Sequence, residues 1–292
     1  MFPQLAANAI FSASIYLLVA MGFALVRTTC RFFNFSQAGI IALGPYLVFM
    51  WSRWVGVPLA LAIPLGIVCC LVPGSFLEVA VYRPLRRRSS SHLVLMLASL
   101  GLYVFIENGI GLLFGHEAKT MVVGQSISGI HLLGARLTLV QLAAITLSVL
   151  TVLLLSVVLN ATAAGRSLRS VASDPELAVI SGISPEKVTL WAFLIASTLS
   201  ATAGTILALD ADMLPTMGLR PLLMGMVVAI IGGSNGVTRI AFGALLLGVA
   251  QNFGALMTGS QWQDATAFVL LAAFLLLRPQ GSLGRNVKST TA

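Results

Sequence analysis

Nine apolar runs divide the chain, at about 5–26, 35–51, 55–77, 92–114, 137–159, 188–209, 217–232, 240–256 and 263–277. Runs of roughly 17 to 25 apolar residues read as membrane-spanning helices. In lipid every backbone N–H and C=O must be paired internally, which favours helices. A membrane barrel would alternate apolar and polar positions, and these runs do not. The pattern therefore predicts an all-α polytopic membrane helix bundle of eight or nine spans, with residues 1–292 forming one membrane domain.

Two stretches interrupt the pattern. "RTTCRFFNFSQAG" breaks it before the short second run, and "MLPTMGLRPLLMGMVVAIIGG" carries Pro215, Gly218, Pro221 and Gly225. Interrupted membrane helices are tolerated where they line a cavity or pack inside protein. Small residues recur every fourth position at Ala196, Ser200 and Gly204, and at Ala244, Gly248 and Asn252. That spacing lets helix backbones approach closely.

Composition agrees: 58% of residues are hydrophobic and 9% charged, against about 25% charged in soluble domains. The net charge of +8 is explained by where the cations lie, without nucleic acid. If the basic tail is cytoplasmic, that side holds Arg27, Arg31, Arg83, Arg86, Arg87, Arg88, Arg166, Arg169, Lys187, Arg239, Arg278, Arg285 and Lys288. The outer side holds Arg53, Lys119, Arg136 and Arg220. The count of 13 against 4 follows the positive-inside rule and sets the N-terminus outside. The N-terminal run has no preceding basic region or clear cleavage site, so it reads as a span.

Self-contained chemistry is not visible. No Gly-Lys pair exists to build a phosphate cradle. Cys30, Cys69 and Cys70 have no zinc spacing, and His92, His116 and His131 are scattered. No catalytic, cofactor-binding or metal-binding residue is expected. Glu107 stands out as the acidic residue inside an apolar run; beside Asn108 and close to the outer end of its span, it reads as a snorkelling or capping group. If the chain transports, its energy comes from a partner.

The charged insert "SDPELAVISGISPEK" at 173–187 suggests where that partner acts. Ser173 and Glu176 fit a capping box, and Pro175 suits a first helical turn. Gly182 suits a C-cap, and Ser184-Pro185-Glu186 opens the next helix. The prediction is a short cytoplasmic coupling helix within the loop at about 160–187. It would present Leu177 and Ile180 one turn apart, with Ala178 and Gly182 giving close approach to a partner groove. So short a helix is unstable alone in water.

The Glu176-x-Ala178-x-x-x-Gly182 pattern resembles the EAA loop of ATP-binding-cassette (ABC) importer permeases. The wider chain is similar to the high-affinity branched-chain amino acid permeases of the LivH type. The resemblance runs through "FNFSQAGIIALGPYL" at 33–47, "GRSLRSVASDPELAVISGISPEKV", "IIGGSNGV" and the Arg278-Pro279-Gln280-Gly281 tail. It departs at Ala38-Gly39, where members commonly have Gly-Glu, at Thr238-Arg239 in place of Pro-Gly, and at Gln251 in place of a glutamate. It implies a permease in the bacterial inner membrane, paired with a second, LivM-like permease. Two ABC ATPase subunits that bind the ATP would dock on Ser173, Asp174, Glu176, Leu177, Ala178, Ile180 and Gly182, and an external binding protein would deliver substrate. Asn34, Ser36 and Gln37, at the start of a short span, are candidate pathway residues. The substrate implied is a branched-chain amino acid, with other amino acids, urea or small carboxylates as alternatives. Two other classes stay open: a carrier without an ATPase, which would need Glu107, and a membrane-embedded enzyme or assembly factor, which would need a reactive cluster at one depth.

Overall fold

A computed structural model describes residues 2–121, 130–132, 135–233 and 236–277. The helices are α1 (Phe2–Cys30), α2 (Ser36–Phe49), α3 (Leu59–Cys69), α4 (Leu71–Phe76), α5 (Arg83–Arg87), α6 (His92–Phe114) and α7 (Leu139–Ala161). They continue with α8 (Ala163–Ser173), α9 (Pro175–Ile180), α10 (Pro185–Asp210), α11 (Leu219–Gly232), α12 (Val237–Thr258) and α13 (Gln263–Leu277). One hairpin, β1 (Ile130–Leu132) with β2 (Ala135–Leu137), joins α6 to α7.

Among the described residues, eight helical stretches are long and apolar enough to cross a membrane. The chain is a multi-pass membrane protein. The ninth expected run, α2, has 14 residues, and a π-helical turn at Met50–Trp54 carries the coil onward. At 1.5 Å per residue those two segments together reach about 28 Å, the depth of a hydrocarbon core. The third span is longer than its apolar pattern indicates. It runs as one stretch, Leu59–Arg87, through a π-helical section at Leu77–Tyr82.

Three spans form the centre: 78%, 72% and 67% of the apolar windows of α1, α10 and the Pro215–Gly232 stretch are buried. The outer spans are exposed, with 17% for α7 and 6% for the α13 stretch. Small residues make the centre tight. A Cβ on Gly204 would collide with the Ile41 carbonyl, and one on Gly44 would lie 2.8 Å from Ala201 Cα. Gly225 sits against Val19 and Gly248 against Ala9 and Ala13. Both small-residue stripes read from the sequence thus face neighbouring helices, where dispersion is gained by backbone proximity.

Loop contacts sort into two ends. At one, Arg31 meets the end of α8, while Arg83 and Arg87 meet Glu186. At the other, Gln4 bonds Arg136, Lys119 pairs with Met213, Trp54 stacks on Phe114 and Arg220 pairs with Asp264. The first is called the basic end below.

Candidate functional site

The break after α1 is built by local chemistry. The hydroxyls of Thr28 and Thr29 donate back to Ala24 and Leu25 carbonyls at 2.8 and 3.0 Å, bonds that bend helices. Arg31 then takes φ +59°, in the left-handed region, and ends the coil. Residues 31–34 run without helix before α2 begins. The Phe35 N–H donates to Ser99 Oγ at 3.0 Å, and that hydroxyl is 3.2 Å from the Phe33 carbonyl. Ser99 lies seven residues into α6, so the break sits about 10 Å along that span. The bond to Ser99 thus draws the start of this short span inward from the end of the bundle.

A buried polar cluster fills the break. Asn34 Oδ1 accepts the Ser36 N–H at 3.2 Å and the Ser36 hydroxyl at 2.7 Å. The Tyr82 hydroxyl, 2.8 Å from Ser36 Oγ and 2.9 Å from Asn34 Oδ1, donates its one proton into the same pair. Gln37 donates to the Val19 carbonyl at 3.3 Å, while its Oε1 is buried without a hydrogen-bond partner. Gly22 leaves the space that the Gln37 amide occupies. The three candidate pathway residues are therefore together, and all are buried. They line a cavity of about 10 Å³ with Leu77, Phe193 and Ser197. That is room for one water, far less than an amino acid.

Next to the cluster lies a charge pair that the sequence pattern hides. Glu78 is 1% exposed and is held by Arg86 through both carboxylate oxygens, one contact at 3.1 Å. Arg86 also reaches Cys30 Sγ at 3.6 Å. The apolar run ends at residue 77, which sets Glu78 at a span end. The signal for its burial is the apolar stretch Val79-Ala80-Val81-Tyr82 that resumes after it.

The second break meets the first. Met213 is fully buried, a 3-10 turn at Pro215–Gly218 leads into α11, and a Cβ at Gly218 would collide with the Ala38 carbonyl of α2. Position 39 is closed by Ile106: a Cβ on Gly39 would lie 2.9 Å from its Cδ1. Gln251 is fully buried, donating to Met224 Sδ at 3.1 Å and the Gln263 carbonyl at 3.3 Å.

At the basic end α8 and α9 form a compact arm. α8, not expected from the sequence, is capped by Thr162, whose hydroxyl accepts the Gly165 N–H at 3.3 Å. The cap of α9 is Asp174, not Ser173. Asp174 Oδ1 accepts the N–H groups of Glu176 and Leu177 at 2.9 and 3.2 Å, and Ser173 is the last residue of α8. Proline suits that register, because it then stands at N1, directly after the cap, where it is most favoured. Gly182 ends the turn with φ +78°, as its type suggests, and the Ile183 N–H closes onto the Ala178 carbonyl at 2.9 Å. Ala178 is fully buried against the chain's own core, so it offers no partner contact. The exposed face is instead Leu177, Val179 and Ile180, the last 82% exposed.

Two anchors hold this arm. Arg31 donates to the Ser173 carbonyl at 3.1 Å, at the negative end of the α8 dipole. Arg87 grips Glu186 with two bonds, at 2.8 and 3.2 Å, and Arg83 pairs with the same carboxylate. Each anchor is a few residues from the cluster: Arg31 precedes Asn34, and Arg83 follows Tyr82.

A model of the family described as branched-chain amino acid transport system / permease component matches residues 5–277. The chain belongs to this family. It is 28% identical to the high-affinity branched-chain amino acid transport system permease protein BraD of Pseudomonas aeruginosa, over 97% of this chain and 96% of that one. It is 26% identical to the LivH permease of Escherichia coli and 25% to that of Salmonella typhimurium, each over 97% of this chain and 96% of the relative. In this permease-family chain the Asn34–Gln37 stretch forms the buried junction, and the Glu176–Gly182 pattern forms α9 and its cap. The Arg278–Gly281 tail signature, with Arg285 and Lys288, lies outside the described residues, as do Ser234 and Asn235 of the glycine-rich loop.

Proposed function

We propose that the chain is the permease subunit of an ABC importer for a branched-chain amino acid, in the bacterial inner membrane. The basic end is cytoplasmic and the N-terminus external, in line with the charge bias. A second, LivM-like permease completes the pathway, an external binding protein delivers substrate, and two ATPases dock on α9. The subunit itself binds no cofactor and performs no covalent chemistry.

The observation that carries this reading is α9. It is preformed by the Asp174 cap and the Gly182 turn, and it holds Leu177, Val179 and Ile180 out from the chain at the basic end. Exposed apolar side chains on a capped, anchored tip suit an apolar groove on a partner. Movement of that tip reaches the membrane by the two anchors. Arg31 would carry it to residues 32–35, and Glu186 would carry it through Arg83 and Arg87 to Tyr82. Displacing Tyr82 from Asn34 and Ser36 would open the one-water cavity that now closes this level. Asn34, Ser36 and Gln37 then become pathway walls, with Gln37 Oε1 free to accept from a substrate ammonium group.

The test is copurification of the ATPases from detergent extracts, with membrane abundance as control. Ile180→Asp and Gly182→Leu should insert normally yet lose the ATPases and substrate-stimulated hydrolysis by more than tenfold. Ala163→Leu, exposed at the first turn of α8, should change binding less than twofold. Full ATPase binding and uptake by both α9 variants would show that this tip is not the dock. Uptake with no ATPase present would make the chain a carrier.

A further inference from the structure

Most outward-facing spans are dressed for lipid. α7 exposes Leu147, Leu150, Leu153, Leu154 and Val157, and its Thr146 and Thr151 hydroxyls donate back to their own helix. α6 differs. Its outward face includes Leu97, Gly101, Phe105, Asn108 and Leu112, a stripe three to four residues apart, with Glu107 half-buried beside it. Among the described residues, Glu107 is the acidic or basic side chain that is seven or more residues from either end of its span and not buried.

Depth makes this costly in lipid. Trp54, stacked on Phe114 opposite the basic end, places the membrane interface at that level, since tryptophan rings gather there. Glu107 is seven residues before Phe114, about 10 Å deeper along the helix. Its local partner is the Tyr103 hydroxyl one turn away, and the Asn108 amide donates to the Val104 carbonyl at 2.8 Å. Neither the Glu107 carboxylate nor the Asn108 carbonyl has its capacity filled by these contacts. Intramembrane carboxylates face protein or a water-filled cavity as a rule. The stripe also has room for a backbone to approach: nothing lies within 4 Å of a Cβ built on Gly101 or Gly109.

We infer that this α6 face is the seam against the second permease subunit, with Glu107 and Asn108 lining a hydrated gap between the two. The assignment rests on the importer reading above and adds where the partner sits. Gly101 and Phe105 make the dry contact nearer the basic end. Glu107 and Asn108 give the outer half a polar wall that water or an ammonium group can reach. The opposite face of α6 packs on α2 through Ile106 and Gly39, so the seam lies one helix from the Asn34 cluster.

The test incorporates a photo-crosslinking phenylalanine analogue at Phe105, Asn108 or Leu112, and at Leu150 or Leu153 of α7 as controls. The whole transporter is expressed in membranes and adducts are identified by mass. The α6 positions should give an adduct to the second permease subunit at least fivefold above the α7 positions, which should label lipid. In the same membranes, Asn108→Cys should react with a membrane-impermeant maleimide added outside. Lipid adducts alone, an adduct to a second copy of this chain, or an Asn108→Cys thiol closed to the reagent would each overturn the seam. ATPase copurification in the same extracts separates the causes: if the ATPases remain bound while α6 labels lipid, the importer reading stands and only the seam falls.

Discussion

Two parts of this permease carry side chains ill-suited to their surroundings, and they are handled in opposite ways. The junction between α1 and α2 places Asn34, Ser36, Tyr82, Glu78 and Arg86 among membrane helices. Almost every polar atom there is met by another from the same chain. The tip of α9 places Leu177, Val179 and Ile180 outside the spans, and nothing among the described residues covers them. A demand met internally belongs to the fold. A demand left open belongs to an encounter. Substitutions should therefore damage the junction by costing stability, and the tip by costing assembly.

The largest stability effect should come from the charge pair. Removing one partner of a buried pair costs about 3–5 kcal/mol, because the other charge is left uncompensated. Arg86 is 24% exposed, so Glu78→Ala should fall at about 3 kcal/mol, the low end of that range. Thermal inactivation of the detergent-solubilised protein is the measurement. Ile180→Asp, at a side chain 82% exposed, should stay within about 0.5 kcal/mol of the parent. Equal losses in the two variants would erase the contrast.

Tyr82→Phe should cost less. Asn34 Oδ1 keeps the Ser36 N–H and hydroxyl as donors, so one shared bond is lost and no acceptor is stranded. A net bond of this kind is worth about 1 kcal/mol. The same inactivation assay should show a loss near a third of that for Glu78→Ala. A loss as large as the charge pair's would mean that Tyr82 holds the break itself.

Much of this was readable from residue order. Long apolar runs give the spans because lipid leaves the backbone no other solution, and Pro215, Gly218 and the Phe32–Phe35 stretch mark the two breaks. That the breaks meet at Gly218 and Ala38 is a tertiary fact, which no local pattern encodes. Glu78 was hidden because a charge at the end of an apolar run looks interfacial. The π-helical section that carries the coil past it has no composition of its own. α8 was hidden because its apolar positions, Leu168 and Val171, are too few to show a period. The α9 cap was off by one because Ser173 and Asp174 are both good caps, and the capping-box spacing favours the first.

That ambiguity gives the smallest effect and the finest test of how the tip is built. Asp174 accepts two N–H groups of α9, whereas Ser173 offers its backbone carbonyl to Arg31. Asp174→Ala should thus cost a cap, about 1 kcal/mol, while Ser173→Ala, which keeps the carbonyl, should cost almost nothing. Because α9 hangs at the edge of the fold, the loss should spare thermal inactivation. It should instead raise the population of an unwound tip and weaken ATPase binding about fivefold, since 1.4 kcal/mol is tenfold. Titrating purified ATPase onto each variant reads this directly. Asp174→Asn keeps an acceptor and should recover most of the affinity. If Ser173→Ala weakens binding and Asp174→Ala does not, the tip meets its partner in the register of the capping box, and the exposed Leu177-Val179-Ile180 face is not the surface presented.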